Sequence, residues 1–149
     1  MHRKVAAALL AVLALGVTSC GSGDKTLSRA ELVRQVEVAC REAQRSVQRQ
    51  QSASRSAGGE ATARFLDAVL SGQRVIVARI KHYDASGEAK TDFATFKQAV
   101  QQRLALFERV RAAGSGRIPA AIRAVQREAE ALALRIQDST TRLGIQGCS

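Results

Sequence analysis

Three cysteines are the residues of this chain whose types and positions indicate chemistry most clearly. Cys20 directly follows an uncharged and mostly apolar run of thirteen residues, 5–17, whereas Cys40 and Cys148 lie in the amphipathic remainder. A thiol at the end of such a run is a candidate for acylation, and two thiols in an oxidising compartment can form a disulfide. An odd number of cysteines in an exported chain indicates that one of them differs in fate from the other two.

Residues 1–19 have the organisation of a secretory signal. A basic start, residues 1–4, precedes the apolar run 5–17, and Ser19 is a small residue at the expected cleavage position. A helix that crosses a bilayer needs about 20 apolar residues, so this run is too short to be a permanent span. The sequence therefore predicts that residues 1–19 are a signal peptide that is removed.

The residues at the end of this signal, Val17, Thr18, Ser19 and Cys20, resemble the lipobox of bacterial lipoprotein precursors. In that motif an aliphatic residue, a small residue and Gly, Ala or Ser precede a lipidated cysteine. The resemblance covers residues 1–20 and implies cleavage before Cys20, acylation with chains such as palmitate, and anchoring at the outer face of the cell membrane. The alternative is ordinary secretory cleavage after Ser19, which Val17 at −3 and Ser19 at −1 also suit.

A lipid on Cys20 would leave Cys40 and Cys148 as an even pair. Cys40 lies some 18 Å along the first predicted helix, and residues 144–148 can reach back about 16 Å when extended. A disulfide between Cys40 and Cys148, with the C-terminal tail strapped along the bundle, is therefore just within reach. The alternative is that both cysteines are unpaired and buried on helices.

Four amphipathic stretches separated by polar turns predict an all-α fold, an up-down-up-down four-helix bundle that follows the cleaved signal peptide. We expect three parts: the signal peptide 1–19, the lipidated cysteine with its tether 20–27, and the bundle domain 28–149. The apolar periodicity places the helices at about 28–50, 60–84, 91–113 and 119–143.

The helical period also predicts which side chains face the core. Phe65 in the second helix and Ile122 in the fourth fall on apolar faces and are expected to point inward. Leu106 and Leu134 fall off the faces of their helices and are expected at a shoulder or exposed. Gly72, in the middle of a helix, is expected to allow close packing or a slight bend, since glycine there is unfavourable by about 1 kcal/mol relative to alanine.

The chain is strongly basic. Its formal net charge is +10, and residues 20–149 carry +8 because the first nineteen residues contain two basic residues and no acidic residue. This charge favours anionic partners such as lipid headgroups or cell-wall polymers. Nucleic acid is not expected, because the chain is exported and aromatic residues, the usual stacking platforms, make up only 3% of it.

A stripe of arginines on the first helix is the candidate anion-binding site. Arg34, Arg41, Arg45 and Arg49 fall nearly opposite the apolar face at 100° per residue. Such a stripe could hold phosphates or acidic polymers. The alternative is that it is only the solvated side of an amphipathic helix.

Catalytic, metal-binding and cofactor-binding patterns were not found. His82 is the only histidine after residue 19, and the sequence contains no Glu-x-x-His pair, no haem or zinc motif and no phosphate loop. We therefore expect no enzyme activity, no metal and no cofactor. The expected function is a non-catalytic cell-envelope lipoprotein that scaffolds or contacts another envelope protein; the alternative is a binding module for anionic lipid or cell-wall polymer, using the arginine stripe or an interhelical groove.

The bundle region also resembles a loose group of small actinobacterial secreted or lipid-anchored helical proteins of unknown function. The matching residues are 32–40, with a cysteine in the first helix, and the C-terminal Gly-x-x-x-Cys pattern at 144–148, preceded by Leu143 where Tyr is usual. The resemblance implies the location and the disulfide. It implies no activity.

Overall fold

The computed structural model describes residues 25–54 and 61–148. Four long helices dominate the described chain, so the predicted all-α class is confirmed. The predicted signal peptide, Cys20 and residues 21–24 of the predicted tether lie outside the described residues. The elements in chain order are β1 (Lys25–Leu27), α1 (Arg29–Ser54), α2 (Ala61–Ile80), β2 (Tyr83–Ala85), α3 (Ala89–Ala112), a 3-10 turn (Ser115–Arg117) and α4 (Ile118–Leu143).

Contacts between neighbouring helices show that consecutive helices run antiparallel. The Ser46 and Ser71 hydroxyls are 2.7 Å apart, while Glu42, earlier in α1, pairs at 2.8 Å with Arg79, later in α2. The same opposite order holds between α2 and α3 and between α3 and α4. The pairs that show it are Asp67–Arg111 with Arg74–Glu108, and Gln102–Arg135 with Arg109–Glu128. The up-down-up-down bundle is thus confirmed.

Capping residues explain where α1 begins and where α4 ends. Before α1, the Glu31 backbone N–H donates to the Ser28 hydroxyl at 3.4 Å, and the Ser28 backbone N–H donates to Glu31 Oε2 at 3.2 Å, which is a capping box. After α4, Gly144 adopts φ 79°, and the Ile145 N–H donates to the Thr140 carbonyl at 2.9 Å. This left-handed turn satisfies carbonyls that the helix end leaves free.

A two-strand parallel ribbon ties the N-terminal segment to the bundle. Lys25 aligns with Tyr83 and Leu27 with Ala85, and the Ser86 N–H donates to the Leu27 carbonyl at 3.1 Å. Residues 25–27 were expected to belong to a tether, and the second helix was expected to continue to 84. Both expectations are wrong for these residues, because the chain leaves α2 at Ile80 and turns to form the ribbon.

The core consists of two clusters along the bundle. The larger contains side chains from all four helices, with the Phe93 and Phe96 rings stacked 6.3 Å apart. The smaller lies toward the other end, and its buried members come from α2, α3 and the start of α4: Ala63, Leu66, Leu70, Val110 and Ile118. Both clusters lie between Leu27 and Cys148, so we expect the fragment 21–149 to fold without the preceding residues.

The predicted burial is wrong at Leu106, Phe65 and Ile122. Leu106 is fully buried, because α4 covers a second side of α3 and brings Leu132 and Ile136 into the same cluster. Phe65 is 59% exposed and Ile122 43% exposed, since the smaller cluster covers only one side of each helix there. Leu134 is exposed as predicted.

Candidate functional site: an interhelical groove

A groove of about 390 Å³ lies between α1, α2 and α3. Its volume falls within the range of about 300–1,000 Å³ typical of small-molecule sites. Most of its wall is apolar, with three glutamines and one arginine. The lining residues are Cys40, Ala43, Gln44, Val47, Gln48, Val69, Gly72, Gln73, Ile76, Arg103, Phe107, Gly147 and Cys148.

Gly72 forms the floor of the groove. A Cβ atom at this position would lie 2.7 Å from Val47 Cγ2 and 3.2 Å from the Ala43 carbonyl oxygen. A side chain at position 72 would therefore require either Val47 to move or α1 and α2 to separate. The predicted close packing at this glycine is confirmed.

Arg103 supplies the charge of the groove. Its Nε donates to Gln73 Oε1 at 3.1 Å, but its terminal nitrogens form no hydrogen bond and no ion pair with the described residues. Burial lowers the pKa of the Arg103 guanidinium below its ordinary value, because desolvation disfavours the charged form. Arginine nevertheless stays protonated in proteins, so the groove contains a cation that lacks a carboxylate partner.

Arg111, two turns further along α3, has the partner that Arg103 lacks. Its Nε lies 2.6 Å from Asp67 Oδ1, and the hydrogen bond and charge of Asp67 raise the pKa of Arg111. The fold is thus able to place a carboxylate from α2 against an α3 arginine. At Arg103 the corresponding residue of α2 is the neutral Gln73.

The C-terminal tail forms one end of the groove. The sulfur atoms of Cys40 and Cys148 are at disulfide-bonding distance, with their Cα atoms 5.3 Å apart, as the sequence predicts. Two hydrogen bonds add to this connection. Gln44 Nε2 donates to the Gly147 carbonyl at 3.2 Å, and the Gln146 N–H donates to Glu37 Oε1 at 3.1 Å.

The predicted arginine stripe lies outside the groove. Arg34, Arg41, Arg45 and Arg49 are all exposed on the outer face of α1, and in the described structure none of them lines the groove. The structure therefore does not combine the stripe and the groove into one site. They are two separate candidates.

Neither His82 nor a cluster of metal-ligating side chains adds a candidate site among the described residues. His82 is exposed in the turn before β2. Within residues 25–54 and 61–148, no group of three His, Cys, Asp or Glu side chains comes together as a metal site. The helices of this part are also too short or too polar to cross a membrane.

Sequence reasoning did not select Arg103, although a signal for it was present. Arg103 follows Val100 by three residues and precedes Phe107 by four, so helical spacing places it on the apolar face of α3. A lone arginine in an apolar stripe has to be neutralised or to face a cavity. That signal was available before the structure.

Comparisons with known proteins assign the chain to no family. No family model, no curated protein and no solved structure matches the chain. The resemblance to lipoprotein precursors rests on residues 1–20, which lie outside the described part, and it stays a prediction.

Proposed function

We propose that this protein is a non-catalytic, lipid-anchored protein of the cell envelope that binds a small anionic amphiphile in the groove between α1, α2 and α3. The observation that carries the proposal is Arg103, a half-buried guanidinium without a carboxylate partner among the described residues. A buried charge is unfavourable unless it is paired. An acidic ligand group would pair it.

The chemistry of the groove selects the ligand class. The free terminal nitrogens of Arg103 suit a carboxylate or a phosphate, which guanidinium groups bind in a planar, two-pronged arrangement. Around this charge the wall is apolar, with Val47, Val69 and Phe107 toward one end and Ile76 toward the other. The ligand therefore has an acidic group and an apolar body.

The length of the groove limits that body. The α1 residues that line it run from Cys40 to Gln48, which corresponds to about 12 Å at 1.5 Å per residue. A short acyl chain or a single ring system fits this length. The tail at Gly147 and Cys148 closes one end, so a longer chain has to leave the groove at the other end or through its open side.

The lining of the groove favours binding over catalysis. Of the described residues that line the groove, none is Ser, Thr, His, Asp or Glu, and the two cysteines are joined to each other. Nucleophilic catalysis needs a nucleophile with a positioned base. The groove offers shape and charge only.

The proposed location suits this ligand. If Cys20 carries a lipid, only four residues lie between the anchor and β1, so the chain from Cys20 to Lys25 spans about 18 Å at most. The groove would thus be held close to the membrane, where amphiphiles concentrate. The scaffold role that the sequence first suggested stays a prediction.

The proposal can be tested by calorimetric titration of fragment 21–149 with decanoate and, in parallel, with decanol. We expect decanoate to bind more tightly, and Arg103→Gln to weaken decanoate binding roughly tenfold or more while leaving decanol binding unchanged. The matched control is Arg135→Gln, because Arg135 also donates to a glutamine, Gln102 at 3.2 Å, but lies outside the groove. Equal affinity for both compounds, or an unaffected Arg103→Gln variant, would contradict the proposal.

A further inference from the structure

The arginine stripe lies on the outer face of α1 and is called the basic ridge from here on. It consists of Arg34, Arg41, Arg45 and Arg49. At 100° per residue these side chains lie within about 80° of one another, and all four are exposed. The ridge spans the sixteen residues 34–49, or about 22 Å of helix. It is therefore long enough to contact several anionic groups at once.

The ridge has few acidic neighbours. Arg41 pairs with Glu37 at 3.9 Å. Hydrogen bonds with Ser28 and, to a lesser extent, the charge of Arg34 lower the pKa of Glu31. Arg45 and Arg49, in contrast, form no ion pair in the described structure. Residues 43–59 contain no Asp or Glu at all. Arginines spaced four residues apart repel each other, so this half of α1 would gain from an external anion.

Basic residues elsewhere on the bundle are more often neutralised by the fold itself. Arg74 pairs with Glu108 at 3.0 Å and Arg109 with Glu128 at 2.8 Å, each across two helices. These pairs contribute to the contact between helices. The ridge makes no such contact, since it faces away from the core.

An exposed apolar residue lies within the ridge. Val38 is 37% exposed, four residues after Arg34 and three before Arg41. Arginine side chains can extend their charged groups toward headgroups while their methylene stems cover apolar surface. Val38 could therefore add a small apolar contact beneath the arginines at a lipid surface.

From these observations we propose that the basic ridge docks on the anionic headgroups of the membrane. The ribbon β1–β2 fixes the chain immediately before α1, so a lipid on Cys20 would hold the start of the ridge at the same membrane. Such a tether raises the local concentration of headgroups around the ridge. The groove opens beside it, because Gln44 and Gln48 line the groove and directly precede Arg45 and Arg49.

The test is cosedimentation of fragment 21–149, which lacks the anchor, with vesicles of phosphatidylglycerol and phosphatidylcholine or of phosphatidylcholine alone. We expect binding only to the anionic vesicles, and weaker binding as salt rises. Arg45→Gln/Arg49→Gln is expected to weaken binding roughly tenfold to thirtyfold, since each arginine near an anionic surface contributes about 1 kcal/mol.

The matched control is Arg123→Gln/Arg127→Gln on α4. These two arginines are exposed, have the same spacing, and form no ion pair within the described residues, so the change in net charge is identical. If both double variants lose binding equally, only net charge matters and the ridge proposal is overturned. If the α1 variant binds vesicles as the wild type does but loses binding to soluble polyglutamate, the proposal is also overturned, and the partner of the ridge is an acidic polymer.

Decanoate titration of the α1 variant separates this result from the groove proposal. We expect its affinity for decanoate to be unchanged.

Discussion

Gly72 on α2 and Val47 on α1 are in closer contact than any other residue type at position 72 would allow. A Cβ at Gly72 would lie 2.7 Å from Val47 Cγ2, a separation that real Cβ atoms essentially never show. The absent side chain therefore allows the close approach of the two helices beside the groove. A glycine that is unfavourable for the helix is in this way required by the packing.

The first prediction concerns this contact. Gly72→Ala is expected to destabilise the fold by about 1 kcal/mol, because overpacking of about 1–3 kcal/mol exceeds the helix-propensity gain of about 1 kcal/mol. Urea denaturation measures the difference. The control is Gly116→Ala, because a Cβ at Gly116 would meet nothing within 4 Å, and we expect its effect to stay within about 0.5 kcal/mol. A Gly72→Ala variant more stable than wild type would show that Val47 moves aside.

The second prediction concerns Cys40 and Cys148. Their link closes a loop with a sequence separation of 108 residues, for which the chain-entropy model predicts about 4–5 kcal/mol of stabilisation. Reduction should therefore lower the melting temperature of fragment 21–149 by roughly 15 °C. In Cys40→Ser/Cys148→Ser, reductant should have no effect. If both thiols of the unreduced protein react with an alkylating agent, the disulfide is not formed.

The third prediction is a pH dependence at the start of α1. Hydrogen bonds from the Ser28 hydroxyl and backbone N–H lower the pKa of Glu31 below its ordinary value. Because the folded state favours the carboxylate, this stabilisation is present above the pKa of the unfolded chain and is lost as pH falls through the folded value. Ser28→Ala should thus be less stable than wild type at pH 7, and the difference should shrink as the pH falls below the ordinary glutamate pKa of 4.5.

Chemical denaturation at pH 7 and at pH 3 measures this effect, with Glu31→Gln in both backgrounds to complete a double-mutant cycle. The coupling between Ser28 and Glu31 should be clear at pH 7 and weaker at pH 3. A coupling of the same size at both pH values would mean that the carboxylate charge is irrelevant to the cap.

The fourth prediction concerns Cys20. If this residue is lipidated, Cys20→Ser should move the protein from the membrane fraction to the medium or leave an uncleaved precursor of higher mass. Wild-type protein should also yield an acylated N-terminal peptide in mass spectrometry. Unchanged fractionation of Cys20→Ser, with a free amine at residue 20 in the wild type, would support ordinary secretory cleavage.

The bundle could be predicted from the sequence because its signals are periodic and local. The apolar period, the capping box at Ser28 and the glycine at position 144 each act within one helix, and all are present in the structure. The pairing of Cys40 with Cys148 could be predicted because a lipid on Cys20 would leave these two cysteines as a pair, and the helix lengths place them just within reach of each other. The ribbon of Lys25–Leu27 with Tyr83–Ala85 could not be predicted. Strands of three residues show no recognisable period, and these two are separated in sequence by the whole of α1 and α2.

Burial at individual positions depended on which neighbours cover each helix. Leu106 is buried because α3 packs against α4 on a second side, which its own sequence does not show. Phe65 is exposed although it precedes the buried Leu66, since the smaller cluster covers only the side of α2 that carries Leu66 and Leu70. The groove depends on the same long-range information, so its position could not be predicted, although the spacing of Arg103 indicated an inward charge.

The most direct test of the central claim is an NMR titration of fragment 21–149 with octanoate. The signals to follow are the Arg103 side-chain Nε–H and the methyl groups of Val47, Val69 and Ile76. The account predicts saturable shifts confined to these groups and to Phe107, together with a smaller response to octanol at the guanidinium. Shifts spread over the exposed arginines, or an Arg103 signal that does not move while the ligand binds elsewhere, would contradict it.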